Sequence, residues 1–184
     1  MSTHKVEAPL TDEAIKKLKI GDEVLLSGYI YTARDNAHQK LVDLIAAGKP
    51  LPFDLKGSVI YYVGPSPAKP GNPIGAAGPT TSYRMDSFVR TLMKLGLKGM
   101  IGKGVQNKEV IDALKEFTGV YFGATGGAAA LLCKTVVENH PIAFEELGAE
   151  AITRLKVVDM PLIVINDCYG GDQYIEGQKK WARA

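Results

Sequence analysis

The segment between residues 64 and 79 constrains the fold more than any other part of the chain, because five of the ten prolines and four glycines fall within it. Proline fixes φ and removes a backbone N–H donor, so this segment can form neither a helix interior nor a central strand. An irregular stretch of this length in a compact domain is typically functional or disordered. The sequence therefore predicts a long loop between a buried strand at 58–63 and a helix capped by Thr80 or Thr81.

Strand and helix patterns alternate along the chain, which is typical of an α/β fold. Apolar runs rich in Val, Ile, Leu and Tyr predict strands at 23–32, 58–63, 99–102, 120–122, 151–158 and 162–165. Helical spacing of apolar residues predicts helices at 11–18, 35–47, 107–117 and 126–137, in addition to the capped helix, which ends at 95. A length of 184 residues without an internal repeat predicts one domain over 1–184.

Composition excludes several classes of partner. The chain has 22 basic and 20 acidic residues, so its charge of +2 favours neither nucleic acid nor an anionic membrane surface. Membrane spans are not expected, because no run of apolar residues is long enough. The first residues lack the apolar stretch of a signal peptide, and two cysteines, Cys133 and Cys168, do not make a disulfide framework. These features predict a cytoplasmic protein.

Polar residues collect at three junctions that follow predicted strands. At the first, residues 32–38, Arg34 and His38 are four positions apart and can share a helical face. The alternative is that Asp35 caps the helix and Arg34 is merely solvated.

The second junction, residues 78–86, places three consecutive hydroxyls at a helix start. Free N–H groups and the helix dipole favour an anion beside Thr80, Thr81 and Ser82. Arg84 lies one turn beyond Thr80, and its guanidinium can bind a carboxylate with two hydrogen bonds. An ordinary helix cap with an exposed arginine is the competing interpretation.

The third junction places Lys103 between Gly102 and Gly104, where the missing side chains allow a ligand to approach closely. A plain turn is the alternative. The sequence lacks the spacing of a P-loop, a dinucleotide fingerprint or a zinc site. Two arginines, a lysine and a hydroxyl cluster therefore point to a small anion, most simply a carboxylate, but they supply no metal site and no complete acid–base pair.

Four of these segments, 32–38, 64–71, 78–86 and 102–104, resemble the β subunit of class I, iron–sulfur-dependent fumarate hydratases, a family that includes L-tartrate dehydratases. Residues 148–152 fit as well, and the likeness extends over about 20–167. The resemblance implies a single compact α/β domain of the swivelling β/β/α type. The loop at 65–70 is more similar to fumarases than to tartrate dehydratases, whereas Tyr83 occupies a position that is often small in fumarases.

The resemblance implies that the chain takes part in the reversible hydration of fumarate to L-malate, with L-tartrate dehydration as an alternative. The implied cofactor is a [4Fe–4S] cluster that the partner α subunit holds and whose unique iron acts as a Lewis acid. The implied partners are that α subunit, in a hetero-oligomer, and a small dicarboxylate, with a homodimer as the state of the chain alone. A non-catalytic anion-binding domain of the same fold is the competing hypothesis.

The resemblance also assigns roles to individual residues. Thr80 is expected to take a proton from the substrate carbon, and three cations are expected to hold the carboxylates, namely Arg34, Arg84 and Lys103. Three further residues are expected to stand behind them without touching substrate, namely Asp35, His38 and Thr81.

Overall fold

In the computed structural model, which describes residues 2–125 and 127–182, seven strands form one mixed sheet. The strands are β1 (Thr3–Ala8), β2 (Glu23–Thr32), β3 (Val59–Tyr61), β4 (Gly99–Gly102), β5 (Val120–Gly123), β6 (Val136–Ala143) and β7 (Ile152–Asn166). The helices are α1 (Asp12–Ile15), α2 (Asp35–Ala46), α3 (Asp86–Lys94), α4 (Lys108–Glu116), α5 (Ala129–Leu132) and α6 (Gln173–Trp181). None of the described helices has the length and apolar character needed to cross a bilayer. The predicted α/β class is confirmed.

Five of the strands close into a ring. β2, β3, β4 and β5 pair in parallel order, and β7 runs antiparallel to both β5 and β2. β1 extends the sheet from β2, and β6 extends it from β7. Because β2, β3, β4 and β5 are parallel, their carboxyl ends lie at one edge of the ring, where ligand sites of parallel sheets commonly form.

The ring divides the apolar residues into two cores. Tyr61 and its same-face neighbours, including Ile101 and Phe122, fill the inside of the ring. Successive strand residues point to opposite faces, so Tyr62 and Tyr121 belong to the second core, which α2, α3 and α4 cover. Side chains of the second core therefore lie directly beneath the loops that leave the strand ends.

The Gly/Pro segment is an ordered loop held by its own hydrogen bonds. Tyr61 donates its hydroxyl proton to the carbonyl of Ala77, and Ser66 exchanges two hydrogen bonds with Ala76. Ile74 is buried in the ring core. A bridge between Val63 and Pro79 then brings the chain back to the end of β3. The loop therefore returns the following hydroxyl-rich residues to the strand they left.

Some elements differ from the sequence prediction. β7 is one strand of 15 residues instead of two, with Asp159 at a φ of 48° where the pattern breaks. The helix predicted from 126 to 137 shortens to α5 and a 3-10 turn, because Val136 begins β6, and Gly126 lies outside the described residues.

Three elements escaped prediction altogether, namely β1, β6 and α6. β1 and β6 are edge strands with few buried residues, and α6 has none, so their apolar periodicity is weak. The alternative in which Asp35 caps α2 is wrong, because Arg34 is the cap residue and makes no side-chain capping bond. The Thr11 and Asn107 side chains cap α1 and α4.

Candidate functional site

The candidate site lies where β2, β3 and β4 end side by side. Thr32 is level with Tyr61, and Tyr61 is level with Ile101. The ladder continues past the strand ends, since the Ala33 amide donates to the Tyr61 carbonyl at 3.1 Å and the Tyr62 amide to the Ile101 carbonyl at 2.8 Å. Neighbouring strands are about 4.8 Å apart, so the chain leaving β2 and the chain leaving β4 are separated by about 10 Å. Long side chains from both connections can therefore contact one small anion between them.

The turn at residues 80–82 joins this edge through backbone bonds. The Thr80 amide donates to the Tyr62 carbonyl at 2.7 Å, which places Thr80 over the end of β3. Thr81 forms a parallel bridge with Lys103, and the Ser82 amide donates to the Lys103 carbonyl at 3.0 Å. The structure thus brings the predicted hydroxyl cluster and the predicted lysine into direct contact.

The threonine hydroxyls are free of the capping role that the sequence also allowed. Thr81 precedes the 3-10 turn Ser82–Met85 but makes no side-chain capping bond, and α3 begins only at Asp86. The Thr80 side chain is half-buried and forms no hydrogen bond with the described part of the chain. Its oxygen is therefore left to interact with a ligand.

The three predicted cations differ in their partners. Arg84, on the 3-10 turn, and Lys103 are exposed, and neither pairs with an acidic group among the residues described. Arg34 is partly buried, with its Nη2 3.1 Å from Glu150 Oε1 and its Nε 3.7 Å from Asp35 Oδ1. The edge therefore carries two unpaired positive charges and one that is internally neutralised.

Arg34 also packs on the start of the Gly/Pro loop. A Cβ atom at Gly64 would lie 3.0 Å from Arg34 Nη1, so the glycine lets the guanidinium lie against the backbone. Glu150 additionally accepts a hydrogen bond from Asn36 at 3.0 Å. Arg34 Nε is buried without a hydrogen-bond partner and lies 3.7 Å from Asp35 Oδ1. A guanidinium has five N–H donors, so pairing with Glu150 leaves capacity for a second carboxylate.

His38 lies behind Arg34 and is fully buried. Its Nδ1 is 2.9 Å from the Arg34 carbonyl, and its ring packs against Tyr62 and Phe88. Burial lowers the pKa of His38 to about 4, so the ring is neutral at physiological pH and Nδ1–H donates to that carbonyl. His38 therefore orients the backbone of Arg34 through this hydrogen bond.

The sequence analysis did not identify Tyr121, and its placement of the Ser82 hydroxyl beside a bound anion is wrong, because Ser82 is fully buried beneath the site. The Ser82 and Tyr121 hydroxyls are 2.7 Å apart, and Asp86 Oδ2 accepts from the Asn107 amide at 3.2 Å. Burial raises the pKa of the Asp86 carboxyl to about 6. Tyr121 lies in an apolar strand, where an aromatic residue signals only a core position, so no sequence signal distinguished it.

Comparison with known proteins gives a family match and several relatives. A family model described as Fumarase C-terminus matches residues 2–177. The chain is 41% identical over 177 residues to a Methanocaldococcus jannaschii protein named as an L(+)-tartrate dehydratase subunit beta, covering 93% of this chain and 91% of that protein. It is 38% identical over 164 residues to fumarate hydratase 2 of Leishmania major, and 39% identical over 160 residues to the anaerobic class I fumarate hydratase of Escherichia coli K12.

The relatives differ in how much of their length this chain spans. The alignments cover 88% and 86% of this chain against the Leishmania and Escherichia coli proteins, but only 29% of either protein. The chain therefore corresponds to nearly all of one relative and to less than a third of the other two.

The buried Asp86 carboxyl makes a testable contribution to stability. Because its folded pKa is raised from 3.8 to about 6, the folded chain holds a proton between those pH values that the unfolded chain has released. The stability that protonation of Asp86 provides is therefore complete below about pH 3.8 and lost as pH rises through 6. Asp86→Asn stays neutral and keeps an acceptor for the Asn107 amide.

We expect Asp86→Asn to raise the free energy of unfolding at pH 7 by roughly 2 kcal/mol, and the gain to vanish toward pH 4. Urea unfolding of variant and wild type at intervals from pH 4 to 7.5 measures this. Asp43→Asn, at an exposed position on α2, is the control and should show no pH-dependent gain. A gain that is constant across this pH range would contradict the raised pKa.

Proposed function

Because this chain belongs to the Fumarase C-terminus family, we propose that it is the β subunit of a hydro-lyase that reversibly hydrates fumarate to L-malate. The observation that carries the proposal is the strand-end edge, where the half-buried Thr80 hydroxyl makes no hydrogen bond within the described residues and the next residue, Thr81, is bridged to Lys103. L-Tartrate dehydration is the second candidate. It is favoured by the 41% identity to a similarly long protein named as a tartrate dehydratase β subunit. We further propose that the ring of strands is the swivelling β/β/α domain of this family.

The substrate class follows from the charges at the edge. A small dicarboxylate carries two negative groups, and Arg84 and Lys103 are exposed cations without acidic partners in the described part of the chain. Arg84 offers two parallel N–H donors to one carboxylate, whereas Lys103 supplies a compact point charge. Arg34 adds the terminal N–H donors that Glu150 leaves unused. On this proposal the three cations fix the orientation of the diacid across the strand ends.

Thr80 is proposed as the group that takes the proton from the substrate carbon. A hydroxyl is a very weak acid, so its oxygen acts as a base only where nearby positive charge favours the anion. Lys103 follows the strand to which the Thr80–Ser82 turn is bonded, and Arg84 lies four residues beyond Thr80. In this assignment Thr80 Oγ1 accepts the proton while the cations hold the neighbouring carboxylate still.

The chain's own residues do not fit an iron–sulfur cluster. Such clusters bind cysteine thiolates, and this chain has two cysteines. The Cys133 thiol donates to the Ala130 carbonyl, and burial raises the pKa of the Cys168 thiol, so neither is prepared as a thiolate. No cluster of three metal-binding side chains occurs within residues 2–125 and 127–182. We therefore assign the [4Fe–4S] cluster to a separate α subunit.

A two-chain enzyme makes a direct prediction for the isolated protein. The chain purified alone should be colourless and inactive, because it supplies substrate-binding groups and a base but no cluster ligands. Anaerobic co-expression with the α subunit, followed by assays on fumarate, L-malate and L-tartrate, should yield a coloured, active complex. Hydratase activity of the chain alone would contradict the two-subunit proposal. Diacid binding by the chain, without activity in the complex, would instead support an anion-binding domain.

Thr80→Ala separates catalysis from simple capping. We expect kcat of the reconstituted enzyme to fall by at least about 100-fold with little change in KM, because the base is removed and the cations remain. Thr80→Ser keeps the oxygen and should retain part of the activity. Thr11→Ala is the matched control, since Thr11 only caps α1, and it should cost about 1 kcal/mol of stability without affecting kcat. Near wild-type turnover of Thr80→Ala would contradict the role of Thr80 as the base and leave Thr81 as the next hydroxyl to test, because the Ser82 hydroxyl is buried against Tyr121.

Arg84→Lys tests whether substrate binding requires a guanidinium that donates two hydrogen bonds to one carboxylate. An ammonium keeps the charge but not the parallel N–H pair, so we expect substrate binding to weaken by roughly 2–3 kcal/mol, seen mainly in KM. Arg90→Lys, on the exposed face of α3 where Arg90 pairs with Glu116, is the control and should leave KM unchanged. Steady-state kinetics of both variants in complex with the α subunit measure these KM values. Equal KM values for Arg84→Lys and wild type would remove Arg84 from the site.

A further inference from the structure

The Thr80–Ser82 turn and the loop that runs from Lys103 to Asn107, here called the Lys103 loop, reach the site from different parts of the chain. The turn follows the Gly/Pro loop that leaves β3, whereas Lys103 follows β4 directly. Their backbones meet in one short bridge, Thr81 with Lys103, and one hydrogen bond from the Ser82 amide to the Lys103 carbonyl. Two segments joined so briefly need a further contact to hold one separation, because an isolated pair of bridged residues is weak.

The Tyr121 hydroxyl supplies that contact from below. It is 2.7 Å from Ser82 Oγ and donates to the Gly104 carbonyl at 3.1 Å. Since the phenol proton goes to Gly104, the Ser82 hydroxyl must donate to the phenol oxygen. Burial raises the pKa of Tyr121, so the phenol stays protonated and the direction of both bonds is set. One buried hydroxyl thereby links the residue after Thr81 to the residue after Lys103.

Gly102 makes this arrangement sterically possible. Tyr121 lies on β5, next to β4, with its ring on the helix-covered face. A Cβ atom at Gly102 would lie 2.0 Å from Ser82 Oγ and 3.3 Å from the Tyr121 hydroxyl oxygen. Any side chain at 102 would therefore push Ser82 off the phenol. The glycine before Lys103 serves this buried contact, a different role from the ligand approach that the sequence suggested.

The Lys103 loop is tethered a second time on its far side. Asp86, the first residue of α3, accepts from the Asn107 amide. The loop from Gly104 to Asn107 is thus held at its beginning by Tyr121 and at its end by Asp86. Both tethers reach the loop from buried positions, so neither competes with an external ligand for the exposed Lys103 ammonium.

We propose that Tyr121 is a positioning residue that sets the separation between Thr80 and Lys103, acting through Ser82 and the Gly104 carbonyl. The inference rests on the proposed function, because it concerns the placement of the base relative to the carboxylate-binding cation. Tyr121 does not touch substrate. Its effect comes from geometry, since displacements on the scale of 1 Å at a reacting group cost up to about 100-fold in rate.

The test compares Tyr121→Phe with Ser82→Ala in the complex with the α subunit. For Tyr121→Phe we expect kcat to fall about 10-fold and KM to rise about threefold, since both the base and the cation shift. Ser82→Ala loses one of the two bonds and should show a smaller change in both constants. A purely structural role would reduce the amount of folded enzyme and leave KM unchanged. Tyr31→Phe, whose half-buried ring stacks on Phe53 against the second core, is the control and should match wild type in both constants.

Hydrogen exchange of the chain alone gives a readout independent of activity. The Ser82 amide should exchange at least about 10-fold faster in Tyr121→Phe than in wild type, because its bond to the Lys103 carbonyl opens more often. Unchanged exchange, unchanged kinetics or a loss of kcat with constant KM would each overturn the positioning role. Absence of hydro-lyase activity in the wild-type complex would instead reject the proposed function, while the exchange experiment still decides whether Tyr121 holds the two segments together.

Discussion

The parallel, in-register pairing of β2, β3 and β4 is the constraint on which the candidate site depends. Thr32, Tyr61 and Ile101 lie level with one another, so three separate connections leave the sheet at one edge. A shift of one residue in either pair would turn Tyr62 away from the helix-covered core and move the carbonyl that holds Thr80. The buried alternation of Tyr61 and Tyr62 resists such a shift, because both rings are completely enclosed on opposite faces.

Beneath the edge, two buried titratable groups oppose each other in their effect on stability. Neutral His38, with its pKa lowered to about 4, contributes stability that is complete above pH 6.5 and lost as pH falls toward 4. Asp86, with its pKa raised to about 6, contributes in the opposite direction over nearly the same window. The two effects offset each other between pH 4 and 6. The pH dependence that one of these two groups gives to the free energy of unfolding is therefore reduced by the other.

The pattern of apolar and polar residues along the sequence predicts those strands and junctions whose structure depends on neighbouring residues alone. β2 and β4 were predicted with their observed bounds, and the polar junctions at Arg34, Thr80 and Lys103 were identified before the fold was known. β1, β6 and α6 were missed because edge strands and a surface helix bury few side chains.

The contacts that complete the site were unpredictable for a different reason, since they join distant parts of the chain. Tyr121 meets Ser82 across 39 residues, and Arg34 meets Glu150 across more than 100. Such pairs depend on ring closure and strand order, and neither leaves a local pattern in the sequence.

Burial decides which cation of the edge keeps an internal partner. The Arg34 side chain is only 23% exposed and pairs with Glu150, because a partly desolvated charge without a counter-charge is costly. Arg84 and Lys103 remain in water, where an unpaired charge costs little. A subunit docking over this edge would remove that water, and the two cations would then require negative charge from elsewhere. On the proposed function the carboxylates of the substrate provide it, so closing the subunit interface and binding the diacid favour each other.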